Sequence, residues 1–221
     1  MSSQSKPKCP YQFVVIEGNI GAGKTSLARK ISNDYNAKLI LERFEENPFL
    51  PKFYKNPDRY SFPVELSFLA DRYNQLKNEL QHREIFSSFT VADYYFMKSL
   101  IFSRNTLASD EFTLYSQLFH IIYQALPKPD LYVFLHLGTE KLLENIKNRG
   151  RDFESHINRE YLDNIRSGYF EFFKQQKDFR VVVVDTNNID FVMNQDHYNQ
   201  LLRDLFEKEY AFGLNHVVVG E

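Results

Sequence analysis

Short apolar runs alternate with amphipathic stretches along the whole chain. Five of the runs are rich in β-branched and aromatic residues, which predicts buried strands over residues 12–17, 37–42, 89–93, 131–137 and 180–184. Apolar residues recurring every three or four positions predict helices over about residues 24–34, 63–82, 95–107, 111–126, 139–148, 158–177 and 195–208. Apolar strands separated by helices are typical of a three-layer α/β fold, in which helices cover both faces of a central, five-stranded parallel sheet.

The domain organisation follows from the same pattern. No linker rich in Pro or Gly divides the chain, so we expect a single domain over residues 12–208. The polar residues 1–11 predict a disordered lead-in, and residues 209–221 predict only a C-terminal tail. The chain has 21 Phe and 14 Tyr residues, and we expect most of these rings to lie in the core.

Charge and cysteine content exclude several functional classes. The 27 basic and 29 acidic residues give a net charge of −2, so the chain has no overall positive field to attract a nucleic acid. Cys9 is the one cysteine, which excludes a disulfide framework. No apolar run approaches the roughly 18 residues that cross a membrane, and residues 1–10 lack the apolar segment of a secretory signal. We therefore expect a cytoplasmic protein without nucleic-acid or membrane partners.

A glycine-rich loop after the first predicted strand carries the clearest chemistry. It matches the pattern G-x-x-x-x-G-K-S/T and opens a predicted helix, which is the context that phosphate binding requires. Backbone N–H groups of such a loop surround a phosphate, the lysine reaches the β- and γ-phosphates, and the hydroxyl binds Mg²⁺. These features predict a phosphate-loop fold that binds a nucleoside triphosphate and Mg²⁺, and they leave a kinase, a nucleotide-binding regulator and a motor ATPase open. The predicted nucleotide-binding residues here are Gly18, Asn19, Ile20, Gly21, Ala22, Gly23, Lys24, Thr25 and Ser26.

Three carboxylates end predicted strands, where ligands of parallel α/β sheets bind. They are Glu17, Glu42 and Asp93. Glu42 is a candidate general base for a hydroxyl that attacks a phosphate, and Asp93 is a candidate ligand of Mg²⁺ or of its water. Each acid also fits a structural interpretation, in which it caps the helix that follows.

A basic cluster follows the helix predicted over residues 139–148. Its sequence is Lys147-Asn148-Arg149-Gly150-Arg151. One interpretation is a helix C-terminus with a glycine cap and favourable cations. The other is a mobile lid over about residues 147–156, whose arginines neutralise charge on the transferred phosphoryl group.

Three stretches of the sequence together resemble the deoxynucleoside kinases, the family of deoxycytidine, deoxyguanosine and deoxyadenosine kinases. They are the phosphate loop within V-I-E-G-N-I-G-A-G-K-T, the stretch from Tyr54 to Phe62 with the pattern Y-x-x-P-x-R-W/Y-S-F, and Arg149-Gly150-Arg151. The string E-R-F-E-E-N-P-F-L from Glu42 is similar to the bacterial-type branch. The resemblance extends from about residue 12 to residue 205.

The resemblance implies ATP-dependent phosphorylation of a deoxynucleoside 5′-hydroxyl in nucleotide salvage, and a homodimer. Glu42 corresponds to the general base, and Tyr54 and Glu154 correspond to ligands of the sugar 3′-hydroxyl. Glu65 stands where the family usually has a base-reading glutamine, and Arg72 corresponds to its base-reading arginine. Further correspondences are Arg149 and Arg151 with lid arginines, and Asp185, Asn187 and Asn188 with the loop beneath the adenine of ATP.

The chain departs from the family pattern at two positions after the third predicted strand. The family usually has an acid followed by Arg-Ser, whereas this chain has Asp93-Tyr94-Tyr95. Either Lys98 or a lid arginine supplies the missing charge, or the rate is lower. Ser99 stands where the family usually has a base-reading aspartate.

Two alternatives to a deoxynucleoside kinase remain open from sequence. Asp71-Arg72-Tyr73 resembles the D-R-Y of thymidylate kinases, which suggests a nucleoside monophosphate kinase, although it lies within a predicted helix. An ATP-binding regulator without transfer activity would explain the lost arginine. The aromatic helices over residues 94–102 and 112–123 fit either a dimer interface or packing in the core, so self-association also stays open.

Glu65 leads to a prediction about the base. An ionised carboxylate only accepts hydrogen bonds, and guanine offers N1–H and N2–H side by side. Arg72 is able to donate to guanine O6 and N7. We therefore predict a purine substrate, deoxyguanosine ahead of deoxyadenosine. Adenine would be accepted in either of two ways, by a Glu65 that burial protonates and that mimics glutamine, or by binding of the ring through its other edge. The alternative interpretation is that Glu65 only pairs with Arg72.

Overall fold

One parallel sheet organises the molecule. The computed structural model describes residues 6–44, 47–81, 87–151, 154 and 156–220. Within these residues the sheet has six strands in the order β2-β3-β1-β4-β5-β6, and every neighbouring pair is parallel. The strands are β1 (Phe13–Gly18), β2 (Lys38–Ile40), β3 (Thr90–Ala92), β4 (Leu131–His136), β5 (Arg180–Asp185) and β6 (Gly213–Val218).

Helices connect the strands. They are α1 (Lys24–Tyr35), α2 (Leu50–Lys55), α3 (Pro57–Gln81), α4 (Met97–Thr106), α5 (Ser109–Tyr123), α6 (Thr139–Arg149), α7 (Arg159–Gln175) and α8 (Gln195–Glu207). The helix α3 begins six residues before the predicted start at Pro63, which lies inside it. No helix in the described ranges is long and apolar enough to cross a membrane.

The prediction of five strands was wrong by one. The segment predicted as a C-terminal tail forms β6, which pairs with β5 from Arg180↔Gly213 to Asp185↔Val218. An edge strand contacts the core on one side only, and the side chains of Asn215 and His216 interrupt the apolar pattern of this segment. The sequence therefore lacks the continuous apolar run that revealed the other strands.

The core lies on both faces of the sheet because successive strand residues point to opposite faces. Val14 and Ile16 pack with α1 and α8 on one face, whereas Phe13 and Val15 pack on the other. The second face is rich in fully buried rings, among them Tyr95, Tyr115, Phe119, Tyr132, Tyr169 and Phe173. This arrangement confirms that most of the aromatic residues serve the core.

Residues 6–11, at the end of the predicted lead-in, contact α1. Lys6 forms an ion pair with Asp34 at 2.7 Å, and the Tyr35 hydroxyl donates a hydrogen bond to the Pro7 carbonyl at 2.8 Å. Residues 1–5 lie outside the described residues.

Candidate active site

A large cavity opens at the carboxyl ends of β1, β2 and β3. Its volume is about 810 Å³, within the usual range for sites that enclose a small molecule. The loop between β1 and α1 lines one end of the cavity, and α2, α3 and α4 line the other. Four residues of the predicted lid also line it, namely Arg149, Arg151, Glu154 and His156. The fold thus brings the phosphate loop and the predicted acceptor residues into one space.

The phosphate loop has the backbone that its glycines permit. Gly21 and Gly23 have φ angles of +85° and +87°, a region that L side chains rarely adopt. A Cβ atom on Gly21 would also lie 2.8 Å from the carbonyl oxygen of Leu142. The loop is closed by a hydrogen bond from the Ala22 N–H to the Asn19 carbonyl at 3.2 Å. The loop then runs directly into the N-terminus of α1, which favours an anion.

Lys24 lies inside the cavity at the start of α1. Its Nζ donates to the Asn19 carbonyl at 2.9 Å, and the Asn19 side chain donates to the carbonyl of Leu162 at 2.7 Å. Burial and the nearby Lys98 lower the pKa of Lys24 to about 8, although Glu17 and other carboxylates oppose this shift. A bound phosphate would stabilise the charged ammonium further.

Thr25 and Asp93 lie together, as the interpretation of a metal site requires. The Thr25 hydroxyl donates to Asp93 Oδ2 at 2.5 Å, and Asp93 Oδ1 accepts the N–H of Glu42 at 2.8 Å. Both side chains offer oxygen, the ligand type that Mg²⁺ prefers, so this pair fits the ion. The described residues contain no group of three or more His, Cys, Asp or Glu that would hold a metal by themselves, so the remaining ligands would be phosphate oxygens and water.

Glu42 lies two residues beyond β2 and is held by two cations. Arg72 donates to Glu42 Oε1 through Nε at 2.9 Å and through Nη2 at 2.7 Å, and Lys98 Nζ donates to Oε2. Burial alone would raise the pKa of Glu42, but Lys98 and Arg72 reverse the effect and lower it to about 2. Glu42 is therefore an ionised acceptor, fixed in orientation beside the phosphate loop.

Glu17 stabilises the site indirectly, through hydrogen bonds that it accepts from neighbouring residues. This residue of β1 is completely buried, and its carboxylate accepts the Tyr169 hydroxyl at 3.0 Å and the Tyr95 N–H at 3.1 Å. Burial raises its pKa, and Lys98 and Lys24 act in the opposite direction. Glu17 does not line the cavity. It connects the phosphate loop to the segment after β3, which agrees with a structural interpretation of this strand-end acid.

Glu65 and Tyr54 lie at the end of the cavity away from the phosphate loop. Both line the cavity, and Glu65 is 6% exposed. Burial raises the pKa of Glu65 to about 7, although Arg72 and a hydrogen bond with Thr106 lower it. Burial also raises the pKa of Tyr54, with contributions from Glu154 and Glu65.

Arg72 does not form the ion pair with Glu65 that one interpretation required. Its Nη1 donates to the Ser99 hydroxyl at 2.9 Å, and its other described hydrogen bonds go to Glu42. The guanidinium therefore lies between the two ends of the cavity. It has five N–H donors, so donors remain for a ligand.

The predicted lid arginines converge on Glu154. Arg149 donates to both carboxylate oxygens through Nη2 at 2.6 Å, and Arg151 Nη1 lies 3.4 Å from Oε1. Arg151 also covers the ring of Phe44 at 4.5 Å. All three charged residues line the cavity, whereas residues 152, 153 and 155 of the predicted lid lie outside the described residues. Sequence reasoning assigned Glu154 to the sugar and the arginines to the phosphate, and the structure adds that they pair with one another.

Comparison with known proteins decides the family. The sequence model of the deoxynucleoside kinases matches residues 14–209. The chain belongs to the deoxynucleoside kinase family. It is thus an enzyme that phosphorylates nucleosides.

Individual relatives agree over nearly the whole chain. A deoxyguanosine kinase of Bacillus subtilis is 36% identical over 193 residues, which cover 86% of this chain and 93% of the relative. A deoxyadenosine kinase of Lactobacillus acidophilus is 27% identical and covers 91% of this chain and 98% of the relative. Among solved structures, a deoxyadenosine kinase of M. mycoides with bound dATP is 25% identical, with a TM-score of 0.74, and covers 89% of this chain and all of that one.

The loop after β5 follows the carboxyl end of its strand, as the phosphate loop does, but Asp185, Asn187 and Asn188 do not line the cavity. Asp185 Oδ1 accepts the N–H of Asn187 at 2.9 Å and its side-chain N–H at 2.8 Å. Asn187 Oδ1 in turn accepts the N–H of Gly138 at 2.8 Å, and Asn188 is exposed. The structure gives Asp185 and Asn187 a role in shaping this loop, and their contact with adenine stays a prediction.

Sequence reasoning missed several lining residues of this deoxynucleoside kinase, among them Thr106, Tyr161 and Asn105. It named Lys98 only as one way to replace an absent arginine. A signal for Lys98 was present, because it is a single cation among apolar and aromatic residues at the start of a helix. Thr106, Asn105 and Tyr161 come from the end of one helix and the start of another, and nothing in the pattern shows that these ends meet.

Proposed function

We propose that this enzyme transfers the γ-phosphate of ATP, with Mg²⁺, to the 5′-hydroxyl of a purine deoxynucleoside in nucleotide salvage, and that deoxyguanosine is preferred to deoxyadenosine. The supporting observation is that Glu42, Lys24 and Glu65 line one cavity. A nucleoside with its base at Glu65 and its 5′-hydroxyl at Glu42 would meet a phosphate bound at Lys24. The deoxyguanosine kinase from Bacillus subtilis, at 36% identity, agrees with the proposed preference.

The transfer step uses the charged residues at the phosphate end of the cavity. Glu42 accepts the proton of the 5′-hydroxyl as its oxygen attacks the γ-phosphorus, and the bond to the ADP oxygen breaks. Lys24, together with Arg149 and Arg151 once they exchange Glu154 for phosphate oxygens, stabilises the charge on the transferred group. Thr25 and Asp93 would hold Mg²⁺, which would supply further charge neutralisation. Glu154 and Tyr54 bind the sugar 3′-hydroxyl, and the loop with Asp185, Asn187 and Asn188 contacts the adenine of ATP.

The preference for guanine rests on the charge of Glu65. The ionised carboxylate accepts two hydrogen bonds and matches N1–H and N2–H of guanine, whereas adenine would place its N1 lone pair against an oxygen. An unpaired or repulsive buried contact costs about 1–3 kcal/mol, which corresponds to roughly a 5- to 150-fold difference in affinity. Because the pKa of Glu65 is about 7, part of the enzyme holds the protonated form at neutral pH, and this form accepts adenine.

An acceptor panel tests this function. We expect ADP release in the presence of ATP, Mg²⁺ and deoxyguanosine or deoxyadenosine, and much slower release with the corresponding deoxynucleoside monophosphates. Glu42→Gln keeps the shape of the side chain but removes the proton acceptor, so its turnover should fall by about 100-fold or more. Faster turnover with the monophosphates would favour a nucleoside monophosphate kinase, and nucleotide binding without any ADP release would favour a regulator.

We also propose that the enzyme is a homodimer, formed through α5. The aromatic residues Tyr115 and Phe119 are buried in the core, but Leu114 and Ile121 are 50% and 71% exposed. They lie seven residues apart and hence on one face of the helix. Sedimentation should give a dimer at micromolar concentration and a monomer for the double variant Leu114→Glu, Ile121→Glu, whereas a monomeric wild type contradicts the proposal.

We also propose a cytoplasmic location, which suits a chain whose one cysteine is free. Cell fractionation tests this location.

A further inference from the structure

The segment after β3 lacks the arginine that the family resemblance predicts, but it carries a different cation, Lys98. Tyr94 stands next to Asp93, where the family resemblance places an arginine, and it is completely buried. Its hydroxyl donates to Gln75 Oε1 at 2.8 Å, and Gln75 itself donates to the carbonyl of Leu41 at 2.9 Å. Tyr94 is thereby fixed outside the cavity, and it brings no charge to the phosphate end.

Lys98 brings a positive charge to the same place from the first turn of α4. The Tyr95 N–H bond to Glu17 fixes the segment before the helix, and the Lys98 N–H continues it by donating to the Tyr95 carbonyl at 3.1 Å. The side chain passes the ring of Phe102 at 5.2 Å and ends on Glu42. Although Lys98 is only 8% exposed, it lines the cavity.

The two cations on Glu42 divide its oxygens between them. Arg72 occupies Oε1 with two hydrogen bonds, and Lys98 occupies Oε2 with one. A carboxylate oxygen accepts two hydrogen bonds, so Oε2 has a position left for a hydroxyl. Two donors on one oxygen lie about 4–5 Å apart at normal hydrogen-bond lengths. A 5′-hydroxyl on Oε2 would therefore have the Lys98 ammonium as its neighbour.

We propose that Lys98 is a catalytic residue that contacts the transferred phosphoryl group. This inference rests on the proposed function, since it assumes the 5′-hydroxyl at Glu42. As the 5′-oxygen bonds to the γ-phosphorus and the bond to ADP breaks, the hydroxyl proton passes to Glu42 Oε2, and the Lys98 ammonium shifts its hydrogen bond to a phosphoryl oxygen. Lys98 thereby stabilises the negative charge on the phosphoryl oxygen, and it transfers no proton itself.

The experiment compares Lys98→Met, Lys98→Gln and Lys98→Arg with wild type and with Lys174→Met, which removes an exposed lysine from α7. We expect kcat to fall by about 100-fold or more in the Met and Gln variants, as for loss of a group that stabilises transition-state charge. Binding of deoxyguanosine without ATP should change by less than about threefold, because Arg72 still orients Glu42. The Arg variant should retain about a tenth of wild-type kcat or more, since it restores the charge.

A transition-state mimic separates catalysis from structure. ADP with aluminium fluoride and deoxyguanosine should form a tight complex with wild type and Lys174→Met, and a much weaker one with Lys98→Gln. The proposal is wrong if the Met or Gln variant keeps kcat within about fivefold of wild type, if the mimic binds the Gln variant as tightly as wild type, or if neither variant folds. A wild type that phosphorylates no deoxynucleoside would instead refute the proposed function.

Discussion

Arg72 Nη2 lies 2.7 Å from Glu42 Oε1, and Nε of the same guanidinium lies 2.9 Å from it. One residue thus contacts both Glu42, the proposed acceptor of the 5′-hydroxyl proton, and, through Ser99, the first turns of α4. The resemblance assigned Arg72 to the base and Glu42 to the attacking hydroxyl as its general base, and the structure brings the two residues into contact. Under the proposed function, a base that moves Arg72 would also move Glu42, so base recognition and phosphate transfer would share this contact.

The first prediction concerns this contact. Arg72→Met should lower kcat with deoxyguanosine by about 100-fold, because Glu42 loses two of its three hydrogen bonds and its orientation. Arg72→Lys should recover little, since an ammonium cannot donate in a fork. The control is Arg104→Met, which breaks an exposed pair with Glu171 and should leave kcat unchanged. Steady-state kinetics on the purified variants measures kcat. Equal kcat in Arg72→Met and wild type would show that Arg72 does not contribute to catalysis.

The second prediction concerns the phosphate loop. Gly21→Ala should raise the KM for ATP by about tenfold or more, because the new Cβ collides with the Leu142 carbonyl and displaces the loop. Gly220→Ala is the matched control, since Gly220 also has a positive φ of +92° but has no atom closer than 3.9 Å to the added Cβ. Both variants should lose about 1–2 kcal/mol of stability from the left-handed backbone, and only Gly21→Ala should lose ATP affinity. Equal KM values for ATP would contradict this account of the loop.

The third prediction is a base preference that changes with pH. Burial raises the pKa of Glu65 to about 7, so the carboxyl is mainly protonated below that pH and mainly ionised above it. The ratio of kcat/KM for deoxyguanosine over deoxyadenosine should therefore rise by up to about 100-fold between roughly pH 6 and pH 8, because the ionised fraction rises about tenfold while the protonated fraction falls about tenfold. In Glu65→Gln, which does not titrate, the ratio should stay flat. A ratio in wild type that is constant or falls over this range would show that Glu65 does not read the base through its charge.

Most of the fold was predictable from sequence because it depends on local patterns. The apolar runs that form β1, β4 and β5 are buried on both faces, and the loop from Gly18 to Thr25 carries its own geometry in its glycines. The edge strand β6 was missed because a strand that meets the core on one side needs no continuous apolar run. The helix α2 was missed because its six residues are too few to show a helical period, and its apolar residues Leu50, Phe53 and Tyr54 line the cavity rather than the core.

The candidate site was predictable only residue by residue. Spacing and resemblance located Glu42, Glu65 and Arg72, but their mutual contacts depend on how α3 and α4 pack beside β2. The proposed replacement of an arginine by Lys98 illustrates the limit, because Lys98 stands four residues after Tyr94 and on a different element. Only the folded chain shows that Lys98 ends on Glu42.

The most direct test of the central claim is kcat/KM for the four deoxynucleosides, measured with ATP and Mg²⁺ on wild type and Glu65→Gln. We predict that deoxyguanosine leads in wild type, that deoxyadenosine follows, and that the pyrimidines are slower. In Glu65→Gln, deoxyguanosine should lose its lead to deoxyadenosine, because the amide offers one donor and one acceptor. A wild type that prefers deoxycytidine or thymidine, or a Glu65→Gln variant with an unchanged ranking, would contradict the account.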